Sequence, residues 1–489
     1  MPGLPFLVRM DQLNAKQNLL HKIAVYLFSV WCGLLAVANV LVFLKASAAW
    51  YVSLFSAAAA VFVIALCYAL AKPFSKLNGV KLVLLLFVLS LVLKLAVVWL
   101  IAPAEYSDYQ TFRAGAAFIA MGDVSFVTRL PYYSIWAYQF GFEWIISLIF
   151  KLFGRWDPVF GLVVNSFFAA GCTPLLAAVG EKITAHRNAV FAALLFTVLP
   201  ITIDLSAVFT NQHVSLFFIL LSVWIILKRP DWLGGILAGL SLGMAKVARA
   251  DVLMYLAAIL VSFLLLKREK KPLSGLVCMV ACYFGIFKLV EIIIRPLQPY
   301  GLGNNFPLYK FAVGLDESSW GRYSVRMQEE IFNNETYVAD HALRDAETMN
   351  IIKEELSIGP ARLLKLFAMK VRIQWANLFH QYEILHDVLQ APTCEVLGRT
   401  VSTQTLNQVL LLWDCFIRFL LFSASAVCGW LTARKKEVSI GFSILMMAFM
   451  AFSAIAFLIE VQYRYVYFVF PAICVAAAIL ADPQRKNEE

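Results

Sequence analysis

A single carboxylate, Asp108, stands in the stretch Ala104-Glu-Tyr-Ser-Asp-Tyr-Gln-Thr-Phe-Arg113, directly after an apolar run long enough to cross a bilayer, with Tyr106, Tyr109, Phe112 and Arg113 around it. An acid at the edge of a span is costly in lipid and is read as functional, with a partner elsewhere in the chain. The alternative is that it only caps a helix beginning at Gln110. Asp204, Asn211-Gln-His213, Lys246, Arg249, Asp251, Glu460 and Arg464 also fall at the ends of apolar runs. A carboxylate that accepts a proton, with cationic groups that hold a phosphate, supplies the parts of a displacement with a phosphate leaving group. The same parts suit a proton-coupled transporter.

The elements that must carry these residues are membrane helices. Hydrophobic residues make up 61% of the chain and charged residues only 15%, against about a quarter charged in soluble domains. The net charge of +10 does not indicate nucleic acid, because the basic residues cluster between apolar runs, as in cytoplasmic loops under the positive-inside rule. Anionic lipid headgroups are their natural partner. The nine cysteines follow no metal or redox spacing. Cys278 and Cys282 share a face of an apolar helix and read as packing. Residues 1–22 read as a cytoplasmic tail leading into a retained anchor.

The expected class is an all-α polytopic membrane protein of about 12 or 13 spans with both termini inside. Residues 23–44 and 49–71 form a helical hairpin, and 82–102 crosses outward with Lys94 facing the protein interior, which puts Asp108 outside. Parity requires 132–153 to be a shallow helix or a span to split near Pro200. The chain divides into an N-terminal tail and hairpin (1–81), a transmembrane core (82–294) with a first external loop (104–136), an external segment (295–408) and C-terminal spans (409–489). Within the external segment, 358–379 places Arg362, Lys365, Lys370 and Arg372 among leucines and Trp375. It reads either as an interfacial amphipathic helix or as a helix packed on the protein body.

In its ordered motifs the chain resembles the GT-C superfamily of integral-membrane glycosyltransferases, the bacterial branch related to protein O-mannosyltransferases and lipid A aminoarabinose transferases. The matching features are Tyr-Ser-Asp108-Tyr-Gln-Thr-Phe in the first external loop, Leu130-Pro-Tyr-Tyr through Gln139-Phe-Gly-Phe, and Leu199-Pro-Ile-Thr-Ile-Asp204-Leu-Ser206. The Arg249 region, Pro307-Leu-Tyr-Lys-Phe-Ala-Val-Gly-Leu-Asp316 with Trp320-Gly-Arg322, and Glu460-Val-Gln-Tyr-Arg464-Tyr with Pro471 complete the series.

The resemblance implies a polyprenyl-phosphate-sugar donor, a lipid, glycan or protein acceptor in the cell envelope, and an inverting transfer on the outer face of a bacterial plasma membrane. Asp108 takes the role of general base and Asp204 is the candidate second acid. Lys246, Arg249 and Arg464 are expected to neutralise the lipid phosphate, with Glu460 on the same helical face as Arg464 to hold it. Tyr109, Arg113, Tyr132 and Gln139 complete the expected substrate contacts. Many members of the family carry a second acid, sometimes with a divalent metal, where this chain has Asn211-Gln-His213, so a metal stays open, with Asp108 and Asp204 as its candidate ligands and His213 read as a packed or hydrogen-bonded residue. The alternatives are a transporter or lipid flippase, or a lipid-diphosphate-glycan polymerase or ligase of the same superfamily.

Overall fold

The computed structural model describes residues 4–46, 49–266, 271–379, 382–396, 398–435 and 438–481. The stretches 267–270 and 483–486, whose basic residues read as cytoplasmic, lie outside them. The protein is an all-α polytopic membrane protein. Eight of the described helices are long and apolar enough to cross a bilayer, or nine if a bent pair counts as one span. This is fewer than expected from the apolar runs. Three further apolar helices, Trp232–Ala248, Ala250–Leu265 and Ile440–Ala456, are shorter, and Phe140–Phe153 has only 14 residues. At 1.5 Å per residue that last helix is about 21 Å long, too short for a hydrocarbon core of about 30 Å.

The bent pair is His186–Val198 with Pro200–Ala207, which turn by 56° at their junction. Pro200 has no N–H to continue the helix, and the carbonyls freed by the break must find donors inside the protein. Thr202 Oγ1 lies within hydrogen-bond reach of the Phe196 (2.9 Å), Thr197 (3.1 Å) and Leu199 (2.8 Å) carbonyls. The buried Lys94 ammonium donates to the Thr197 carbonyl at 2.9 Å. Lys94 therefore faces the interior, where it ties the span Val80–Ile101 to the broken helix.

Helix Trp232–Ala248, capped by Asp231 through the Gly234 N–H at 2.8 Å, packs closely on Lys271–Ile294. A Cβ on Gly239 would lie 2.4 Å from the Met279 carbonyl oxygen. The two backbones touch there, as small residues allow between membrane helices. This contact fixes the end of the helix and with it Arg249 and Asp251. Gly239→Val should cost about 3 kcal/mol or more, because backbone cannot yield as a side-chain tip does. Thermal unfolding of the purified protein and the yield of inserted protein check this.

The segment after Ile294 contains helices Tyr309–Leu315, His341–Leu356 and Pro360–Ala376 and an antiparallel hairpin pairing Thr393–Val396 with Arg399–Ser402. Helix Pro360–Ala376 packs on the protein body. Leu366, Ile373, Trp375 and Ala376 are buried, and Arg362 is paired with Glu317. Lys370 donates to the carbonyls of Gly314 (2.7 Å), Phe457 (2.8 Å) and Ile459 (2.8 Å). Burial draws the Lys370 pKa down to about 7 against the opposing charge of Glu460, while three carbonyl acceptors favour the ammonium. Of the two readings of this helix, packing on the protein body accounts for Lys370 and the buried side chains, while Leu364 on the same helix is 70% exposed.

Asp316 closes the turn that follows helix Tyr309–Leu315. It accepts from the Ser318 N–H at 2.9 Å, the Ser318 hydroxyl at 2.6 Å and the Ser324 hydroxyl. Burial alone would raise its pKa, but these hydrogen bonds outweigh burial and hold it below the usual aspartate value. A carboxyl with a depressed folded pKa contributes stability above its unfolded value of about 3.9 and loses it as pH falls through the folded value. Wild type should therefore exceed Asp316→Asn in thermal stability by a constant margin above about pH 5, and that margin should shrink below about pH 4.

Candidate active site

A cavity of 580 Å³ opens where the first loop, the mid-chain helix ends, the later segment and the last span converge. This is within the range of ligand pockets, about 300–1,000 Å³. Its wall includes Asp108, Tyr132, Trp136, Tyr138, Gln139, Asn211, Gln212, Arg249, Asp251, Lys310, Glu460, Gln462, Arg464 and Tyr465.

Several of the polar residues arrive from defined helix ends. Asp108 sits in the first turn of Ser107–Met121, where the helix dipole favours a negative charge. Residue Ser107, just before it, has φ 49°, a left-handed conformation that non-glycine residues adopt at a cost and that clusters at functional sites. Asn211 and Gln212 open the helix Asn211–Lys228, capped by Thr210. Arg249 and Asp251 follow the end of Trp232–Ala248.

Three carboxylates and three cations face this space, and their pairing is uneven. Glu460 accepts from Gln462 Nε2 at 2.8 Å, from the Tyr465 hydroxyl at 3.2 Å and from Lys310 Nζ at 3.5 Å. Arg249 Nε pairs with Asp251 at 2.9 Å and its Nη1 donates to Asn211 Oδ1 at 2.9 Å. Asn211 in turn donates to Gln139 Oε1 at 3.0 Å. Among the described residues Asp108 is held only by two long contacts, from Tyr132 and from Arg464 Nη2, each at 3.4 Å. Its side chain is 36% exposed against 11% for Glu460, so it is the more open of the two acids to a ligand. Burial, then the charge of Asp108, raises the Tyr132 phenol above its ordinary pKa, which leaves it a donor to that carboxylate. Burial opposes the charge on Lys310, but Tyr465, Tyr138 and Glu460 more than offset it and hold its ammonium above the usual lysine range.

Residues 140–293 match the model of the dolichyl-phosphate-mannose-protein mannosyltransferase family. The resemblance is to a GT-C glycosyltransferase family. It supports a membrane glycosyltransferase of that type. A comparison with curated proteins finds no match. The matched stretch contributes Asn211, Gln212, Arg249 and Asp251 to the cavity, while Asp108, Lys310, Glu460 and Arg464 come from outside it.

Relative to the residues expected for a glycosyltransferase site, the cavity gathers Asp108, Tyr132, Gln139, Arg249, Glu460 and Arg464. Four others lie elsewhere. Asp204 is buried, and its Oδ1 accepts from the Ile384 N–H at 3.0 Å. Lys246 rests its ammonium 4.1 Å from the Phe287 ring centre. Tyr109 stands behind the wall, its hydroxyl between Arg464 and Glu383. Arg113 turns away to Glu105 at 2.5 Å and to the Trp156 carbonyl at 3.1 Å.

The supposed helical pair of Glu460 and Arg464 is also corrected. Residues 460–462 are not helical and a 3₁₀ turn begins at Tyr463, so Gln462 links the two instead, donating to Glu460 and accepting from Arg464 Nε at 2.6 Å. His213 is not part of the site: its Nδ1 bonds the Tyr467 hydroxyl at 2.7 Å.

Asp108 lines the cavity and Asp204 does not, and among the described residues no group of three His, Cys, Asp or Glu side chains is placed to hold an ion. The residues present do not fit a bound divalent metal, and no step is routed through one. Lys310 was missed as a site residue although it stands in the quoted motif Pro307-Leu-Tyr-Lys, because its partner Glu460 lies 150 positions away. Lys246→Ala should leave transfer near the wild-type rate and cost about 0.5–1 kcal/mol of stability through the lost cation–π contacts. Parallel kinetics and thermal unfolding read both effects.

Proposed function

We propose that this protein moves a sugar from a polyprenyl-phosphate donor to a hydroxyl of a lipid, glycan or protein acceptor in the cell envelope, on the outer face of a bacterial plasma membrane. Asp108 takes the proton of the acceptor hydroxyl. The freed oxygen attacks the anomeric carbon, the bond from that carbon to the phosphate oxygen breaks with its electron pair leaving on the phosphate, and the anomeric centre inverts. Arg249, Lys310 and Arg464 carry the charge of the departing lipid phosphate, where preorganised cations act most strongly. Phe452, Ile455 and Ile459 on the same wall receive the first isoprene units, and Tyr132, Tyr138 and Gln139 the sugar.

The observation that carries this reading is the position of Asp108: it is loosely held in a cavity whose other acids are engaged by cations and amides. The test is transfer by the purified protein from sugar donors on polyprenyl monophosphate and on diphosphate. Transfer from the monophosphate is expected. Transfer from the diphosphate alone would instead indicate a polymerase or ligase, and movement of the lipid across the bilayer without transfer would indicate a flippase.

A further inference from the structure

Behind the cavity wall, one carboxylate from the later segment engages the Asp108 stretch twice. Glu383 Oε1 accepts from the Tyr109 hydroxyl at 2.7 Å, and its Oε2 accepts from the Tyr106 hydroxyl. We propose that Glu383 is a positioning residue that sets the Arg464 guanidinium through Tyr109, and so keeps Asp108 free to act.

The hydroxyl of Tyr109 has one O–H and two lone pairs. Glu383 takes the proton, so the oxygen can only accept from Arg464 Nη1, which it meets at 2.5 Å. Both bonds involve a charged group and are stronger than neutral ones. Arg464 Nε is fixed separately by Gln462 Oε1 at 2.6 Å. Two short bonds thus hold the guanidinium back, and its contact with Asp108 is the longest of the three, at 3.4 Å. Without the carboxylate the phenolic proton is free to turn toward the guanidinium. Arg464 then loses an acceptor, and Asp108, already in contact with it, is the anion placed to replace it. A base clamped by an arginine is a poorer base, and an arginine clamped by Asp108 is less available to phosphate.

The same carboxylate supplies its own control. Tyr106, on the other oxygen, lies against His386 with ring centres 3.5 Å apart. It does not line the cavity, and the bond that reaches Arg464 comes from Tyr109. Removing the Tyr106 hydroxyl deletes a bond to the same acceptor without cutting the route to the guanidinium. The Glu383 loop also anchors the first loop directly, through Asp387 and the Ala104 N–H at 2.6 Å, so a purely structural role must be separated from positioning.

This inference rests on the cavity being the transfer site. The experiment compares Glu383→Gln, Tyr109→Phe, Tyr106→Phe and the double variant Glu383→Gln/Tyr109→Phe in donor kinetics and thermal unfolding. The amide introduced by Glu383→Gln offers only one oxygen acceptor to two phenols. Glu383→Gln and Tyr109→Phe should each lower kcat/KM for the donor about tenfold, the loss expected for a hydrogen bond to a charged group, with the acceptor KM unchanged. The double variant should lose little more than either single, because both cut one chain. Tyr106→Phe should keep near wild-type kcat/KM even if its melting temperature falls. Additive losses in the double variant, or equal losses from Tyr106→Phe and Tyr109→Phe, would overturn the proposal and leave Glu383 as a loop clamp. Full transfer by Asp108→Asn in the same assay would instead reject the site itself.

Discussion

Asp108→Asn should lower kcat by about 10²–10⁴, the usual contribution of a positioned general base, with donor affinity and thermal stability close to wild type. The amide keeps the size of the carboxylate, its one oxygen can still accept from Arg464, and its N–H can donate to the Tyr132 oxygen, so the helix start at Ser107 and the cavity shape persist. What it loses is the ability to take a proton. Stability changes little because both present contacts are long, at 3.4 Å, and the group is partly exposed. Exposed or loose pairs contribute about 0–1 kcal/mol. Single-turnover transfer and donor binding in one preparation separate the two quantities.

The second large effect is expected at Arg464. Arg464→Met should reduce kcat/KM for the donor by about 10²–10³, the cost of removing one preorganised charge stabiliser. Arg464 touches Tyr109, Gln462 and Asp108 at once, and Lys310 and Arg249 are each tied to their own acid. Neither can cross to replace it. The loss should be greater for a donor with a poor leaving group, because the charge on the phosphate develops as its bond to the sugar breaks. Equal losses for all donors would place Arg464 in uniform binding instead.

Much of this architecture was legible in the chain. Composition alone fixes a polytopic helical protein, since so few charges cannot cover a soluble surface of this size. The interior placement of Lys94 followed from its mid-span position, and a split near Pro200 was one of the two ways to restore parity. The count of spans was less legible, because the helices of 13 to 17 residues are too short to separate from buried or shallow ones by hydropathy.

The site divides in the same way. Asp108 was visible because an acid beside a membrane span is expensive, wherever its partners lie. Its partners Tyr132 and Arg464 were already among the expected site residues, although the contact between Asp108 and Arg464 spans 356 positions; Lys310, the partner of Glu460, was not. Two expectations failed for a common reason. The i,i+4 pairing of Glu460 with Arg464 assumed a regular helix where the chain is irregular and then 3₁₀, and Asp204 was taken as the second acid because it is the acid nearest to Asn211-Gln-His213. In the folded protein the break at Pro200 turns the carboxylate inward to the Ile384 N–H. Side-chain direction at an irregular backbone cannot be read from spacing, which assumes a period.

The mechanism rests on one displacement with Asp108 as a base and not as a nucleophile. The most direct test is the anomeric configuration of the sugar that the purified wild-type protein transfers from a polyprenyl-phosphate donor of known anomer, read by NMR of the product. A configuration opposite to that of the donor is the predicted result. Retention of the donor configuration would contradict it.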